Sequence, residues 1–201
     1  MRRTVGLDDE LLLCPRLRKL VLCMPIGRVQ SHDINKVSHH SPQLRELELR
    51  GHDPYFGGLK DAIMQMRELR VLRIINSYVM PAELYNRISS LPNLETLQVI
   101  SDLVPNLAPG PLPDGLLVKN RFPSLRSFDI TVSDPRSLAN FIRNFYIPHI
   151  IDLDVTVEAD FDMDCSPGQE AYAEMFQALS EVDTLHTGYM FEFYHGKYKQ
   201  K

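Results

Sequence analysis

The sequence predicts an α/β solenoid with a parallel β-sheet on its concave side and helices and irregular loops on its convex side. The first observation is a motif, P-x-L-x-x-L-x-[LIV], whose clearest copy is residues 92–99 and which recurs along most of the chain. The second is that Leu97 and Val99 lie two apart, which places both side chains on one face of a strand. The third is that segments of roughly 15 to 20 residues separate the strands, so the strands should be parallel and joined by crossovers.

Six copies of the motif keep a nearly constant register. Five copies begin at a proline: Pro15, Pro42, Pro92, Pro123 and Pro148. A sixth has Arg67 in place of the proline. The first apolar positions are Leu17, Leu44, Leu69, Leu94, Leu125 and Ile150, so the steps are 27, 25, 25, 31 and 25 residues. We therefore predict one domain over 1–201, with strands near 18–23, 45–50, 70–75, 95–100, 126–131 and 151–157.

Helical spacing of apolar residues predicts a helix in four of the connections. Pro81 suits the first turn of one of these helices, and Asp134 with Pro135 forms an N-cap followed by a proline at the first helical position. The residues expected to face the sheet are, in chain order, Ile34 and Val37; Leu59, Ala62, Ile63 and Met66; Leu84, Ile88 and Leu91; and Leu138, Phe141, Ile142 and Phe145.

Residues 166–195 are a candidate for a degenerate seventh unit. Ser166 and Gln169 have the S-x-x-Q form of a capping box, which predicts a helix whose buried face carries Tyr172, Met175, Phe176 and Leu179. Residues 182–185 keep part of the motif without its proline, and Met190–Tyr194 is predicted as a closing strand.

The step of 31 residues contains a long loop over 102–121. Four prolines, Pro105, Pro109, Pro111 and Pro113, exclude a regular helix through most of it. Loops of this length in compact domains are often functional. The leucines of this loop either contact a partner or fold back over the helical side, and the sequence leaves both alternatives open.

Composition indicates an ordinary globular protein with an uneven charge. The 201 residues are 44% hydrophobic, enough for a sizeable core, and no stretch of about 18 apolar residues or signal-peptide pattern occurs. Residues 1–100 carry a net charge of +3 and residues 101–201 a net charge of −7. Three cysteines, Cys14, Cys23 and Cys165, lack CxxC spacing, which favours reduced thiols and a cytoplasmic or nuclear location.

The candidate metal-binding and catalytic motifs lack residues that their chemistry needs at fixed positions. Asp160, Asp162 and Asp164 alternate like the start of a calcium loop, but Cys165 and Ala171 stand where that loop needs glycine and glutamate. The pair His39 and His40 has no further ligand at metal-binding spacing. Neither a G-x-S-x-G signature nor a phosphate-binding glycine pattern occurs, and a pI near 6.0 disfavours nucleic-acid binding. We expect no enzyme activity, no cofactor and no metal.

The motif copies resemble the leucine-rich repeats of F-box/LRR-type proteins, especially the irregular fungal ones, over roughly Leu11 to Val157. The resemblance implies a leucine-rich-repeat horseshoe and a substrate-recognition role in a ubiquitin ligase. Three positions beyond the last strand leucine, many such families have Asn or Cys. This chain departs from them there, with Pro25, His52, Ser77, Asp102, Ser133 and Glu158.

The N-terminal end of the array looks uncapped. Leu11, Leu12 and Leu13 precede the first strand as the end of a helix would, yet a complete F-box of about 40 residues does not fit ahead of Leu17. We expect either a fragment of a longer F-box-like protein or, as the alternative, an orphan or truncated regulatory subunit that docks on another chain through this edge.

The residues that alternate with the strand leucines are the candidate binding surface, since they point to the concave face. They run from mixed charge, through an uncharged middle, to an acidic end, which predicts a protein partner with an apolar centre and a basic end. The partner-binding candidates are Lys19, Glu46, Glu48, Arg50, Val71, Arg73, Ile75, Gln98, Ile100, Asp129, Asp152 and Asp154.

Overall fold

A computed structural model describes residues 15–24, 31–51, 57–75, 82–100, 120–132, 134–158, 169–180 and 190–194. The strands are β1 (Lys19–Met24), β2 (Glu46–Gly51), β3 (Val71–Ile75), β4 (Thr96–Ile100), β5 (Asn120–Arg121), β6 (Ser127–Val132), β7 (Phe145–Tyr146), β8 (Asp152–Glu158) and β9 (Met190–Tyr194). The helices are α1 (Ser31–His40), α2 (Gly57–Ile63), α3 (Ala82–Ser89), α4 (Pro135–Asn144) and α5 (Gln169–Ser180).

Seven strands form one parallel sheet in the order β1-β2-β3-β4-β6-β8-β9. Each of these strands except β9 begins one residue after its predicted first residue. The register is in step: Leu20 pairs with Leu47, Leu47 with Leu72, and Leu72 with Leu97. The predicted α/β solenoid with parallel strands is confirmed, because a period of two within each repeat and a fixed step between repeats specify it.

A ladder of backbone hydrogen bonds aligns the starts of the strands. The carbonyl of Arg18 accepts bonds from the amides of Arg45 at 2.8 Å and Glu46 at 2.9 Å. The carbonyls of Arg45, Arg70, Glu95 and Arg126 each accept the same two bonds from the following repeat. The 31-residue step leaves this ladder intact, because the extra residues are inserted between strands and not within the motif.

The core lies between the sheet and the helices. Leu47, Leu72, Leu97 and Val155 are almost fully buried, as are the first apolar residues of the motifs from Leu44 onward. Fully burying a side chain of this size stabilises a fold by about 1.5–3 kcal/mol. The repeated motif positions therefore make a large contribution to the hydrophobic stabilisation, and no single repeat could bury its own leucines alone.

The helices cover the leucine side of the sheet. The predicted inward residues of α1, α2, α3 and α4 are all buried, including the residues just beyond α2 and α3. Serine hydroxyls in the last turns of α1 and α3 donate to backbone carbonyls three residues earlier: Ser38 donates to Asn35 O at 2.7 Å and Ser89 to Asn86 O at 2.8 Å. No described helix has the length and hydropathy of a membrane span.

An aromatic cluster lies in the core of the repeat that follows the longest step. Phe141 stacks on Phe128 and on Phe145, with ring centroids 4.9 Å and 4.6 Å away. Tyr85 meets Phe141 edge-on at 5.5 Å, and Phe122 packs against Phe145 at 5.5 Å. Larger side chains thus fill this part of the core, where the step between repeats is longest.

Two sequence predictions about helix faces need correction. Phe145 is buried as predicted, but it lies in β7, which pairs with β5, and not in α4. Phe176 of α5 was expected to be buried and is 45% exposed, whereas Ala171 and Ala178 are buried. Small residues on α5 allow close packing, and the bulky ring lies on the outer side.

Several predictions fall on residues outside the described ranges. These are residues 102–119 of the predicted loop, the acidic run at Asp160 to Asp164, Ser166 of the capping box, the seventh motif over 182–185 and the leucines at 11–13. The last two residues of the predicted loop, Asn120 and Arg121, are described and form strand β5. In the seventh unit, α5 and β9 are described, and β9 pairs in parallel with β8.

Candidate interaction surface

The face of the sheet predicted to be concave carries none of the described helices, and we call it the open face. Its residues lie between the buried leucines and are exposed or half-buried, with the exceptions of Glu48 and Thr131. In-register pairing arranges them in three rows across the strands. Each row crosses at least four neighbouring strands, so residues far apart in sequence become neighbours.

The twelve candidate residues all belong to these rows. The first row contains Lys19, Glu46, Val71 and, at its far end, Asp152. The second row contains Glu48, Arg73, Gln98, Asp129 and Asp154. The third row contains Arg50, Ile75 and Ile100. The fold brings the candidates together on one surface.

The charges at the β1 to β3 end of the open face neutralise one another. Lys19 Nζ lies 2.9 Å from Glu46 Oε2. Glu48 forms an ion pair with Arg50, and Arg73 Nη1 lies 4.0 Å from its other carboxylate oxygen. Glu48, predicted as an exposed partner contact, is only 7% exposed because these two guanidinium groups cover it. Its main role is therefore to position Arg50 and Arg73.

The other end of the open face is acidic, and the residues described there include no cation. Asp129 and Asp154 are paired residues on β6 and β8, and Asp152 lies on β8 two positions before Asp154. Gln98 donates a hydrogen bond to Asp129. Burial raises the pKa of the Asp129 carboxyl, the bond from Gln98 opposes that shift, and the charge of Asp154 adds to it. Within the described ranges, no lysine, arginine or histidine pairs with these aspartates.

The centre of the open face is apolar. Ile75 and Ile100 are register partners on β3 and β4, and both are half-buried. Val71 lies on β3 in the first row and is also half-buried. Side chains of this kind lose water favourably when a partner covers them.

Sequence reasoning missed a second charged feature of the sheet. The residues directly before the first residue of strands β1, β2, β3, β4, β6 and β8 form a column of Arg18, Arg45, Arg70, Glu95, Arg126 and Ile151. We call this column the strand-start rim. The alternation of the strand leucines does not select these positions, because each lies two residues before an apolar residue of a strand and so falls on the leucine side of the pattern. Only the fixed offset from the motif leucine could have identified them.

The histidines and the cysteine considered as ligands or nucleophiles do not form a site within the described residues. His39 and His40 are exposed at the end of α1. Among the described residues, no group of three or more His, Cys, Asp or Glu is arranged to bind a metal ion. Cys23 is an exposed free thiol on β1.

Comparison with known proteins shows little sequence kinship. No protein-family model matches the chain, and no curated protein matches its sequence. Among solved structures, the tropomodulin C-terminal domain from Caenorhabditis elegans is similar with a TM-score of 0.39 and 14% identity, covering 87% of this chain and 93% of that chain. No residue role is transferred from that domain.

Proposed function

We propose that this chain is a protein-interaction module that binds its partner across the open face. The observation that carries the proposal is the separation of this face into an end whose charges are largely ion-paired, an apolar centre and an acidic end whose described residues include no cation. Apolar centres anchor interfaces, whereas unpaired charges set orientation and association rate. The proposal assigns a binding role without catalysis, metal or cofactor, in the cytoplasm or nucleus.

The partner that fits this face has an apolar centre and a basic end. Lysine or arginine side chains of the partner would pair with Asp129, Asp152 and Asp154. Its apolar residues would cover Ile75 and Ile100. At the β1 to β3 end the existing ion pairs leave little net charge to satisfy, so this end selects by shape more than by charge.

A more specific proposal is that the partner is a substrate of a ubiquitin ligase. The support is the resemblance of the repeats to those of F-box/LRR-type proteins, which is carried by the motif over residues 92–99 and its copies. If an F-box-type helical module precedes this array in the gene, a pull-down of the ligase adaptor should succeed with the longer form and fail with residues 1–201. Recovery of the adaptor with neither form would count against the ligase role.

The binding role is tested by quantitative affinity capture with charge-reversed variants. Asp154→Lys removes an unpaired carboxylate from the acidic end and should lower the recovery of specific partners at least several-fold. Asp61→Lys makes the same charge change at an exposed position of α2 and is the matched control. Circular dichroism should confirm that both variants fold. Equal partner recovery from Asp154→Lys, Asp61→Lys and the unmodified chain would refute the proposed surface.

A further inference from the structure

The strand-start rim concentrates positive charge at one edge of the sheet. Four of its six residues are arginines, all exposed, and one is a glutamate. The chain as a whole has a net charge of −4, so the sign of the charge in this column is opposite to that of the whole chain. Like charges on neighbouring strands, about 4.8 Å apart along the sheet, repel one another unless a counter-charge is bound.

The backbone fixes these arginines in one column. The amide of Arg45 donates to the carbonyl of Arg18 at 2.8 Å, and the amide of Arg70 donates to the carbonyl of Arg45 at 2.8 Å. The same bond continues through Glu95 and Arg126 to Ile151. The side chains therefore start from a rigid, evenly spaced line, and little backbone ordering would be needed when a ligand binds.

Most of the positive charge in the rim is uncompensated. Arg70 Nη1 lies 3.2 Å from Glu95 Oε1, and this exposed pair accounts for the single carboxylate of the column. In the part of the chain that is described, no acidic side chain pairs with Arg18, Arg45 or Arg126. Three guanidinium groups thus remain available to an anionic partner.

We propose that the strand-start rim binds an acidic, extended peptide segment of a partner protein. The column spans five steps of about 4.8 Å, roughly 24 Å, which an extended chain of about seven residues covers. Planar guanidinium groups bind carboxylates with two parallel hydrogen bonds. Asp or Glu at alternate positions of such a segment recurs about every 6.8 Å, so the long arginine side chains, and not a strand-by-strand match, bring the two sets of charges together. Ile151, 54% exposed, supplies an apolar contact at the end of the column.

A nucleic acid fits the rim less well. Its phosphates recur along the whole strand and would extend beyond the column onto the acidic end of the open face, whereas a segment of about seven residues ends with the column. The rim also contains no aromatic side chain on which a base could stack. The rim is separate from the open-face rows, so its function does not depend on the proposed open-face partner.

The test measures the binding of a fluorescent seven-residue peptide with glutamate at alternate positions, by polarisation in 50 mM and 500 mM salt. The peptide should bind at low salt and weaken at high salt, and its glutamine counterpart should bind more weakly. Arg45→Gln should weaken binding by about two- to fivefold, the range expected for one exposed ion pair, and Arg45→Glu should weaken it further. Arg87→Gln makes the matched change on the exposed side of α3 and should leave the affinity unchanged.

Three results would overturn the proposal. They are the absence of peptide binding at low salt, equal losses for Arg45→Gln and Arg87→Gln, and tighter Arg45-dependent binding of a thymidine oligonucleotide than of the peptide. Asp154→Lys changes the open face and keeps the rim, so it should not reduce binding of the acidic peptide. A failure at the rim is therefore distinguishable from a failure at the open face.

Discussion

The hydroxyl group of Tyr85 is buried without a hydrogen-bond partner among the described residues. The Tyr85 side chain is fully buried among Phe141 and Phe145. Burial also raises the pKa of the phenol, because the charged form would lose its hydration. A buried hydroxyl without a partner costs a folded protein free energy that a phenyl ring would not.

Tyr85→Phe should therefore stabilise the protein. We expect an increase in the free energy of unfolding of about 1 kcal/mol, from the desolvation cost of the unpaired hydroxyl. Urea unfolding followed by circular dichroism measures it. Tyr146→Phe is the control, since this ring is 50% exposed and its change should stay within about 0.5 kcal/mol. A loss of stability in Tyr85→Phe would mean that the hydroxyl has a partner.

The ionisation of Asp129, at the acidic end of the open face, makes the free energy of unfolding depend on pH. Because its pKa is raised in the folded state, the folded protein retains a proton that the unfolded chain has already released between the two pKa values. Lowering the pH through that interval therefore stabilises the fold with respect to this group. Above the interval, the charged carboxylate lowers the free energy of unfolding.

Asp129→Asn should raise the urea midpoint at pH 7, and its advantage over the unmodified chain should shrink by pH 4. The amide keeps an acceptor for Gln98 and removes the repulsion from Asp154. Asp152→Asn changes an exposed carboxylate on the neighbouring strand β8 and serves as the comparison. An advantage that grows on acidification would show that the sign of the coupling is wrong.

Helix α4 depends on its first residues. Asp134 has an extended conformation, its side chain accepts a 2.9 Å bond from the Arg136 amide, and Pro135 follows at the first helical position. On the outer side, Arg136 Nε and Arg143 Nη1 lie 3.8 Å and 4.0 Å from Glu174 of α5. These exposed pairs contribute little, so the cap and the aromatic cluster determine the position of α4.

Asp134→Ala should lower the free energy of unfolding by about 1 kcal/mol, as N-cap losses usually do. Asp134→Ser retains an oxygen that can accept the amide bond and should recover most of the loss. Both values come from urea titrations with a common slope. If serine lost as much as alanine, the carboxylate charge would matter and not the capping bond.

The sequence predicted the strands and helices whose signals lie within a short stretch of residues. It did not predict the burial of side chains that depends on contacts with other repeats. Strand positions follow from leucines two apart, and the start of α4 from Asp134 and Pro135. The burial of Glu48 depends on Arg50 and Arg73, and Arg73 comes from a different repeat. The exposure of Phe176 likewise depends on which face of α5 meets the preceding repeat. The rows of the open face were predictable, whereas their internal charge pairing was not.

At the scale of the whole molecule, the main sheet is a one-dimensional array in which each strand pairs only with its neighbours. The same ladder of bonds joins every pair of successive motifs from Arg18 to Asp152. Stability in such arrays is approximately the sum of repeat terms and nearest-neighbour terms. Damage to one repeat should therefore spread to the adjacent repeats before it reaches distant ones.

Leu97→Ala tests this local coupling in the middle of the array. Leu97 is fully buried on β4, and its truncation should cost about 2–5 kcal/mol. Hydrogen exchange should show the largest loss of amide protection in β4, an intermediate loss in β3 and β6, and a smaller loss in β1 and β8. Thr96→Ala on the half-exposed side of the same strand should leave the pattern nearly unchanged. A uniform loss across all these strands would show that the array unfolds as one cooperative unit, because nearest-neighbour coupling alone cannot equalise near and distant repeats.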